Sequence, residues 1–310
     1  MILVTGATGF LGKRICRILK EEGKVFYPTS LSMGVDLRVQ KETFSLFEKV
    51  RPTYVMNCSS YVGGIQFGLK HSGEIFYNNS LILVNLLEAC RQYNIKRLIN
   101  PISNCVYPSK ASLFKESEIW DGALDDSVFV YGMVRKLSYV GSVAYKKQYD
   151  LDTVNLILSN MYGPEDHFQE ERSHALGALI MKIVNARDND IPSVIVWGTG
   201  TPVREWLHVD DGARAMIIAL DIEKYQYPIN IGIAKGISIR DLAYMIKKLV
   251  NYKGKLLFDS TMIDGAPYKT VDGSLGKKLL NWSPKINLEQ GILETIKWYE
   301  DNHITLGEEL

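Results

Sequence analysis

Two hydroxyl side chains, Ser103 and Tyr131, have the types and spacing for acid–base chemistry at a sugar or alcohol carbon. Ser103 follows an apolar run that predicts a strand, and Tyr131 opens a run with helical periodicity. Such a pair can share hydrogen bonds to one oxygen while a hydride moves at the adjacent carbon. A tyrosine, whose pKa is about 10, needs a nearby cation to act near neutral pH. One helical turn after Tyr131, at i+4, that cation is Arg135, because Lys136 is one residue too far. Considered alone, the tyrosine is equally well explained as a packing residue.

The first twelve residues contain a pattern that binds nucleotides in other proteins. A short apolar run over 2–4 is followed by Gly6, Gly9 and Gly12, and then by a helical run that ends at Gly23. Glycines in such a turn allow a pyrophosphate to approach the backbone, and the helix N-terminus faces the anion. The strand–turn–helix context predicts dinucleotide binding rather than an ordinary turn, although the spacing is Gly-x-x-Gly-x-x-Gly.

The elements that must position these residues alternate along the first half of the chain. Strands are predicted over 24–30, 52–58, 96–102 and 152–158, and helices over 76–93 and 131–149. This alternation predicts an α/β protein with a Rossmann-type, doubly wound parallel sheet. Ligands bind such sheets at the carboxyl ends of the strands, which is where Ser103 lies.

Beyond residue 163 the alternation loosens. A polar loop (165–172), a helix (175–186), a strand (193–197) and a helix (238–252) are predicted, and the last is expected to be capped by Ser238 with Asp241. We predict a dinucleotide-binding Rossmann domain of residues 1–163 with about 204–221. A smaller C-terminal α/β domain of residues 164–203 and about 222–310 is expected to bind the substrate.

Charge and composition narrow the partners. The 36 basic and 35 acidic residues nearly cancel, so the balance does not indicate nucleic-acid or acidic-membrane binding. No segment reaches 18 apolar residues and the N-terminus is a predicted strand, so we expect a cytoplasmic protein without a membrane partner. The four cysteines (Cys16, Cys58, Cys90, Cys105) lack the spacing of metal ligands and the density of a disulfide scaffold. No metal site is expected.

Several separated motifs together resemble one family. They are Val62-Gly-Gly-Ile65, Ser103-Asn-Cys-Val-Tyr-Pro108, Asn160-Met-Tyr-Gly-Pro164, Ser173-His174, Val196-Trp-Gly-Thr-Gly-Thr-Pro202, Arg204-Glu-Trp-Leu-His-Val-Asp-Asp211, Ile229-Asn-Ile-Gly232, Asp264-Gly-Ala-Pro267 and Trp298-Tyr299. The chain resembles the extended short-chain dehydrogenases/reductases, which form the NAD-dependent epimerase/dehydratase family. Within that family it is most similar to the GDP-L-fucose synthase branch, whose members are GDP-4-keto-6-deoxy-mannose 3,5-epimerase/4-reductases.

The resemblance implies catalytic roles for five residues. Ser103 and Tyr131 match the serine and the catalytic tyrosine, with Arg135 as the neighbouring cation. Cys105 and His174 match the base and acid that move protons next to the 4-keto group. A thiolate and an imidazole suit that task near pH 7. From the residues alone, Cys105 is also explained as a buried hydrophobe and His174 as a loop residue bonded to a carbonyl.

The resemblance also implies two sets of ligand contacts. Cofactor contacts are expected at Gly6, Thr8, Gly9, Phe10, Leu11, Asp36, Leu37, Ser59 and Asn160, with NADP(H) favoured and NAD(H) possible. Contacts with a nucleotide-diphosphate sugar are expected at Gly64, Lys182, Trp197 and Arg204, where a guanidinium suits the diphosphate. The family also implies a homodimer, in which the helices over 76–93 and 131–149 pair across a two-fold axis.

Three positions depart from the family pattern. Arg135 replaces the usual lysine, and Tyr268 stands where an arginine is expected near the nucleotide. Thr8 and the strand end at 29–30 lack the arginines that hold a 2′-phosphate, while Lys13 and Arg14 are expected to be solvated helix charges. These departures leave alternatives open: a C4-reductase, a C3/C5-epimerase or a 4-dehydrogenase/4-epimerase on a related hexose or heptose, or a catalytically impaired homologue that binds nucleotide sugars.

Overall fold

The computed structural model describes residues 1–109, 113–169 and 172–307. In this part the strands are β1 (Ile2–Thr5), β2 (Phe26–Pro28), β3 (Tyr54–Asn57), β4 (Arg97–Ser103), β5 (Thr153–Leu158), β6 (Asn160–Tyr162), β7 (Ser193–Trp197), β8 (Val203–His208), β9 (Ile229–Ile231), β10 (Gly236–Ser238), β11 (Lys255–Asp259) and β12 (Tyr268–Lys269). The helices are α1 (Phe10–Glu21), α2 (Gln40–Val50), α3 (Ile65–Lys70), α4 (Ser72–Gln92), α5 (Phe129–Tyr149), α6 (Ala175–Asp188), α7 (Val209–Ile218), α8 (Ile239–Val250), α9 (Ser274–Leu280) and α10 (Leu288–Gly307).

Six parallel strands form the main sheet in the order β2-β1-β3-β4-β5-β9. Helices cover both faces of the sheet, so strand β1 is buried on both sides. Ile2 and Val4 pack in the cluster that contains α1 and α7, whereas Leu3 packs in the cluster that contains α2 and α4. The predicted Rossmann-type fold is confirmed. From β1 the chain adds β2 on one side and β3 on the other, and ligands of such sheets bind at this change of direction.

The predicted elements occur at close to their predicted bounds. Helix α4 begins four residues earlier than predicted and α5 two residues earlier. Ser238 caps α8 as predicted, since its hydroxyl accepts a hydrogen bond from the Asp241 N–H at 3.0 Å. Helix α3 was not predicted, because its six residues are too few to show helical periodicity.

A second region of the chain builds a separate core. Helices α6, α8 and α10 pack there with β7 and β11, which pair in parallel. Strand β8 pairs with β6, β10 and β12. Strand β9 lies in the stretch that we assigned to the smaller domain, but it forms the edge of the main sheet. The domain boundaries stay a prediction. None of the helices in the described ranges is long and apolar enough to cross a bilayer.

Candidate active site

A cavity of 470 Å³ opens at the carboxyl ends of β3, β4 and β5, beside the turn after β1. Its walls include all five residues with a predicted catalytic role, namely Ser103, Cys105, Tyr131, Arg135 and His174. They also include Gly9, Phe10, Leu11, Ser59 and Asn160 from the predicted cofactor set, and Gly64, Lys182, Trp197 and Arg204 from the predicted substrate set. Gly6, Thr8, Asp36 and Leu37 lie outside this lining.

Ser103 and Tyr131 reach the cavity from β4 and from the first turn of α5. The Ser103 hydroxyl oxygen accepts a hydrogen bond from the Cys105 N–H at 3.2 Å, which leaves its own proton free for a ligand oxygen. Gly132 lets α5 approach this turn, because a Cβ there would lie 2.5 Å from the Cys105 carbonyl oxygen. A glycine next to Tyr131 therefore sets the distance between the two predicted catalytic elements.

The cation beside Tyr131 is Arg135. Its guanidinium carbon lies 4.9 Å from the centre of the Tyr131 ring, and its Nη2 donates a hydrogen bond to the Ser60 hydroxyl. Lys136 contacts a different group, since its ammonium lies 4.7 Å from the ring centre of Trp120. The geometry agrees with the i+4 argument from the sequence, and the positive charge next to Tyr131 is retained despite the change from lysine.

Cys105 has a partner that the sequence analysis did not anticipate. The Lys269 ammonium donates a hydrogen bond to the Cys105 sulfur at 3.2 Å, and both side chains are buried. Strand β12 places Lys269 directly opposite Arg204 of β8. Lys269 was not among the predicted site residues, because its one sequence signal is its place just after the motif Asp264-Gly-Ala-Pro267.

His174 precedes α6 and faces the cavity. The side chain is accessible from the cavity, but the protein packed around the cavity limits the hydration of its ring. Burial, followed by the nearby His167 and Lys269, lowers the pKa of His174 to about 4. The ligand-free protein therefore holds a neutral imidazole at pH 7, which must gain a proton before it can act as an acid.

Arg204, Lys182 and Trp197 give the cavity groups that suit an anion and an aromatic ring. Arg204 is buried and donates hydrogen bonds to the Val203 carbonyl at 2.9 Å and the Asp264 carbonyl at 3.2 Å. The Lys182 ammonium lies 4.4 Å from the ring centre of Trp197. Two cations and a partly exposed indole ring thus line the cavity, which is the chemistry that a nucleoside diphosphate requires.

The turn after β1 has the geometry of a dinucleotide fingerprint. Gly6 adopts a φ of +60°, and a Cβ on Gly12 would lie 2.1 Å from the Gly6 carbonyl oxygen. The helix α1 therefore packs closely on the turn, with its N-terminus at the cavity. The prediction for Arg14 was wrong, because this side chain is buried, donates to the Pro164 carbonyl at 2.6 Å and pairs with Glu165.

Three hydroxyls lie where strand β2 ends beside the same turn. The Thr8, Ser30 and Ser32 oxygens are mutually hydrogen-bonded at 2.9–3.0 Å. Asp36, further along, accepts hydrogen bonds from the Arg38 guanidinium, and this contact holds the pKa of its carboxyl below the usual range. Leu37 is buried in the core between α2 and α4. The cofactor roles of Asp36 and Leu37 stay predictions.

Asp166 gives the stability of the protein a pH dependence. Burial raises the pKa of its carboxyl to about 7, although one oxygen accepts the His167 N–H at 2.7 Å. Because the folded pKa lies above the unfolded value of about 3.9, the stabilisation is complete below about pH 4 and is lost as pH rises from there to about 7. Asp166→Asn keeps the acceptor and removes the charge, so its melting temperature should exceed that of the wild type by roughly 3 °C or more at pH 8, and the difference should shrink as pH falls towards about 4.

Thermal unfolding of the ligand-free protein across this pH range checks the expectation for Asp166. Asp36→Asn is a matched control with the opposite sign, because the Arg38 hydrogen bond lowers the pKa of Asp36 and its ionised form stabilises the fold. Equal melting temperatures for wild type and Asp166→Asn at pH 8 would show that burial does not raise the pKa of Asp166.

Comparison with known proteins defines the class. Residues 2–232 match the model of the NAD dependent epimerase/dehydratase family. The chain belongs to this family, and the resemblance inferred from the motifs is confirmed.

Particular relatives agree along nearly the whole chain. GDP-L-fucose synthase 1 of Arabidopsis thaliana is 34% identical over 304 residues, which cover 97% of this chain and 93% of that protein. Among solved structures, a GDP-6-OMe-4-keto-L-xylo-heptose reductase from C. jejuni has a TM-score of 0.90 at 25% identity, with 97% of each chain covered. A GDP-L-fucose synthetase from Naegleria fowleri bound to NADP has a TM-score of 0.87 at 29% identity, covering 98% of this chain and 93% of that one.

Proposed function

We propose that this protein is a 3,5-epimerase/4-reductase of a GDP-4-keto-6-deoxy-hexose, of the GDP-L-fucose synthase type, acting in deoxysugar biosynthesis. One observation carries the proposal: a single cavity brings Cys105 and His174 together with Ser103 and Tyr131. The first pair suits proton transfer at carbons next to a ketone, and the second suits reduction of that ketone. The relatives described above are named as synthases or reductases of GDP sugars, which supports the proposal.

The residues present fit NADP(H). The glycine turn leaves its backbone open to a pyrophosphate, and Arg135 Nε is buried without a hydrogen-bond partner among the described residues, a donor that a ribose hydroxyl would satisfy. Gly9, Phe10, Leu11, Ser59 and Asn160 would hold the cofactor with Arg135. When bound, NADPH supplies the hydride for the reduction of the ketone.

In the proton-transfer part of the proposed reaction, the 4-keto group acidifies the protons at C3 and C5 of the sugar. Cys105 removes such a proton as thiolate and gives an enediolate. His174 returns a proton to the opposite face, which inverts the carbon. Because the imidazole is neutral in the ligand-free protein, it must take up a proton from solvent before it acts as the acid.

In the reduction, Tyr131 and Ser103 act on the C4 oxygen. The Ser103 hydroxyl, whose oxygen already accepts the Cys105 N–H, donates a hydrogen bond to the C4 oxygen and orients the sugar. Tyr131 transfers a proton to it as the alcohol forms, and the Arg135 charge beside the ring stabilises the tyrosinate that remains. This retained cation supports an active enzyme over the impaired homologue.

The proposal is tested by incubating the protein with NADPH and GDP-4-keto-6-deoxy-mannose and identifying the product by NMR. GDP-L-fucose is the expected product. GDP-6-deoxy-talose or GDP-rhamnose would show reduction without epimerisation, and the absence of NADPH oxidation with every GDP-4-keto sugar would refute the proposed activity.

A second candidate substrate is a GDP-4-keto-heptose. The observation that favours it is the TM-score of 0.90 with the C. jejuni heptose reductase. The same assay with a GDP-4-keto-heptose decides between the sugars, since the preferred substrate will have the higher kcat/KM.

The hydroxyl cluster of Thr8, Ser30 and Ser32 predicts a weak preference between the two cofactors. Neutral hydroxyls hold a 2′-phosphate less firmly than arginine, because a charge-assisted contact contributes about 1.5–3 kcal/mol, or about tenfold or more in affinity. We expect NADPH to be used with only a modest advantage over NADH, and Thr8→Arg to raise that advantage about tenfold. Competitive binding of the two reduced cofactors measures this, and a strong preference for NADPH in the wild type would contradict it.

We also propose that the protein is cytoplasmic and that it forms a homodimer. Helices α4 and α5 pack together and present one apolar face: Phe76, Tyr77, Val84, Met133, Leu137, Val140 and Val143, each at least 39% exposed. Such a face is typical of an interface. In analytical ultracentrifugation the wild type should have the mass of two chains and Val140→Glu that of one, while Val25→Glu, on another exposed surface, should remain dimeric. A monomeric wild type would refute the dimer.

A further inference from the structure

Lys269 is a cavity residue without a role in the account above. Its ammonium donates a hydrogen bond to the Cys105 sulfur at 3.2 Å, and both side chains are at most 9% exposed. We propose that Lys269 is a positioning residue for proton transfer, which fixes the Cys105 sulfur and stabilises its negatively charged form. This inference rests on the proposed function, because it assigns a partner to the base of that reaction.

The backbone around Lys269 is held firmly enough to position a side chain. Strand β12 pairs in parallel with β8, so that Lys269 stands opposite Arg204. The following Val271 N–H donates to the buried Glu205 carboxylate at 2.8 Å, and the Phe114 N–H donates to the Thr270 carbonyl at 3.0 Å. The ammonium is therefore carried to the sulfur by a strand that is anchored from two sides.

The other charged and titratable groups near the sulfur determine whether the surroundings stabilise or destabilise the Cys105 thiolate. Arg204 of β8 interacts electrostatically with Cys105, and Tyr131 and Arg135 lie on the packed helix α5. Facing Lys269 are His174 before α6, whose pKa is lowered partly by this ammonium, and Asp125, a carboxylate that it also contacts electrostatically. Asp264, which interacts with Arg204, is a second carboxylate near this group. The Lys269 ammonium, however, is in hydrogen-bond contact with the sulfur, and this contact favours a negatively charged sulfur.

The lysine also explains how a buried cysteine can act as a base. Burial raises the pKa of Cys16 to about 11 and raises that of Cys58 and Cys90 further, as is usual for a thiol without a cationic neighbour. Cys105 is as buried as a core residue but has an ammonium in contact with its sulfur. We expect Cys105 to react with alkylating agents at lower pH than the other three cysteines.

The test is the pH dependence of Cys105 alkylation by iodoacetamide in the full-length, ligand-free protein, read by mass spectrometry of the peptide that contains Cys105. Lys269→Met should move the midpoint of alkylation to higher pH by about one unit or more, which corresponds to about tenfold less thiolate at pH 7. Lys269→Arg should restore most of the wild-type midpoint. Lys136→Met, which removes a buried lysine that contacts Trp120, should leave it unchanged.

An unchanged midpoint in folded Lys269→Met would overturn the inference. If this variant unfolds, Cys16, Cys58 and Cys90 will be alkylated together with Cys105, and Lys269→Gln provides the same test with a polar, neutral side chain. Alkylation needs neither sugar nor cofactor, so it decides the role of Lys269 even if the proposed function fails. If both hold, Lys269→Met should also slow solvent exchange at C3 and C5 about tenfold or more while reduction of an already epimerised ketone persists.

Discussion

Tyr131→Phe is expected to lower the rate of 4-keto reduction by about 10²-fold or more, because it removes the hydroxyl that gives a proton to the C4 oxygen. Phenylalanine retains the ring that lies beside the Arg135 guanidinium, so the packing of α5 should change little. The decrease should appear in kcat, whereas the dissociation constant of the nucleotide sugar should stay near the wild-type value. Steady-state NADPH oxidation and calorimetric binding measure the two quantities, and near-wild-type reduction would remove Tyr131 from the mechanism.

Arg135 provides the companion variants for this experiment. If its charge stabilises the tyrosinate, Arg135→Met should shift the pH–rate profile of reduction to higher pH, and Arg135→Lys should preserve it. Lys136→Met is the matched control, since that ammonium contacts Trp120 rather than Tyr131. A profile that Arg135→Met leaves unchanged would mean that the charge does not tune Tyr131.

Cys105→Ser is expected to slow deuterium exchange at C3 and C5 of the sugar by about 10²-fold or more, because a serine hydroxyl is a far weaker acid than a thiol and supplies almost no anion at pH 7. Reduction of a keto-sugar that is already epimerised should persist, since Ser103 and Tyr131 are untouched. The measurement is mass spectrometry of the 4-keto sugar after incubation in deuterated water without reduced cofactor. Exchange at the wild-type rate in Cys105→Ser would assign the base to another group.

His174→Asn separates the acid from the base. In this variant Cys105 can still remove a proton, so exchange at one carbon should continue while completion of the inversion is impaired. A variant that inverts both carbons normally would show that His174 only positions the sugar.

The sequence was sufficient to predict the part of the site that depends on local pattern. Gly6 and Gly12 predicted the nucleotide turn because their roles require the absence of a Cβ, and Ser238 predicted the start of α8 through its capping hydroxyl. The place of Ser103 at the cavity followed from the rule that parallel strands present their carboxyl ends at one edge, and Tyr131 joins it from the first turn of α5.

The contacts that the sequence did not reveal join residues far apart in the chain. Lys269 lies 164 positions from Cys105 on a strand of two residues, which is too short to show alternation. Arg14 is buried because Glu165 and the Pro164 carbonyl, 150 positions away, neutralise and bond it. Helix periodicity at α1 shows which face is apolar, but it does not show which partner a charge on the other face will meet.

The most direct test of a single site that epimerises and reduces is the complete reaction of the wild type in deuterated water with unlabelled NADPH. Protons removed by Cys105 are replaced from solvent, whereas the hydrogen at C4 comes from the cofactor. We predict a product with deuterium at both C3 and C5 and with ordinary hydrogen at C4. A reduced product without deuterium at C3 or C5 would contradict the proposed role of Cys105 and His174 and leave a plain 4-reductase.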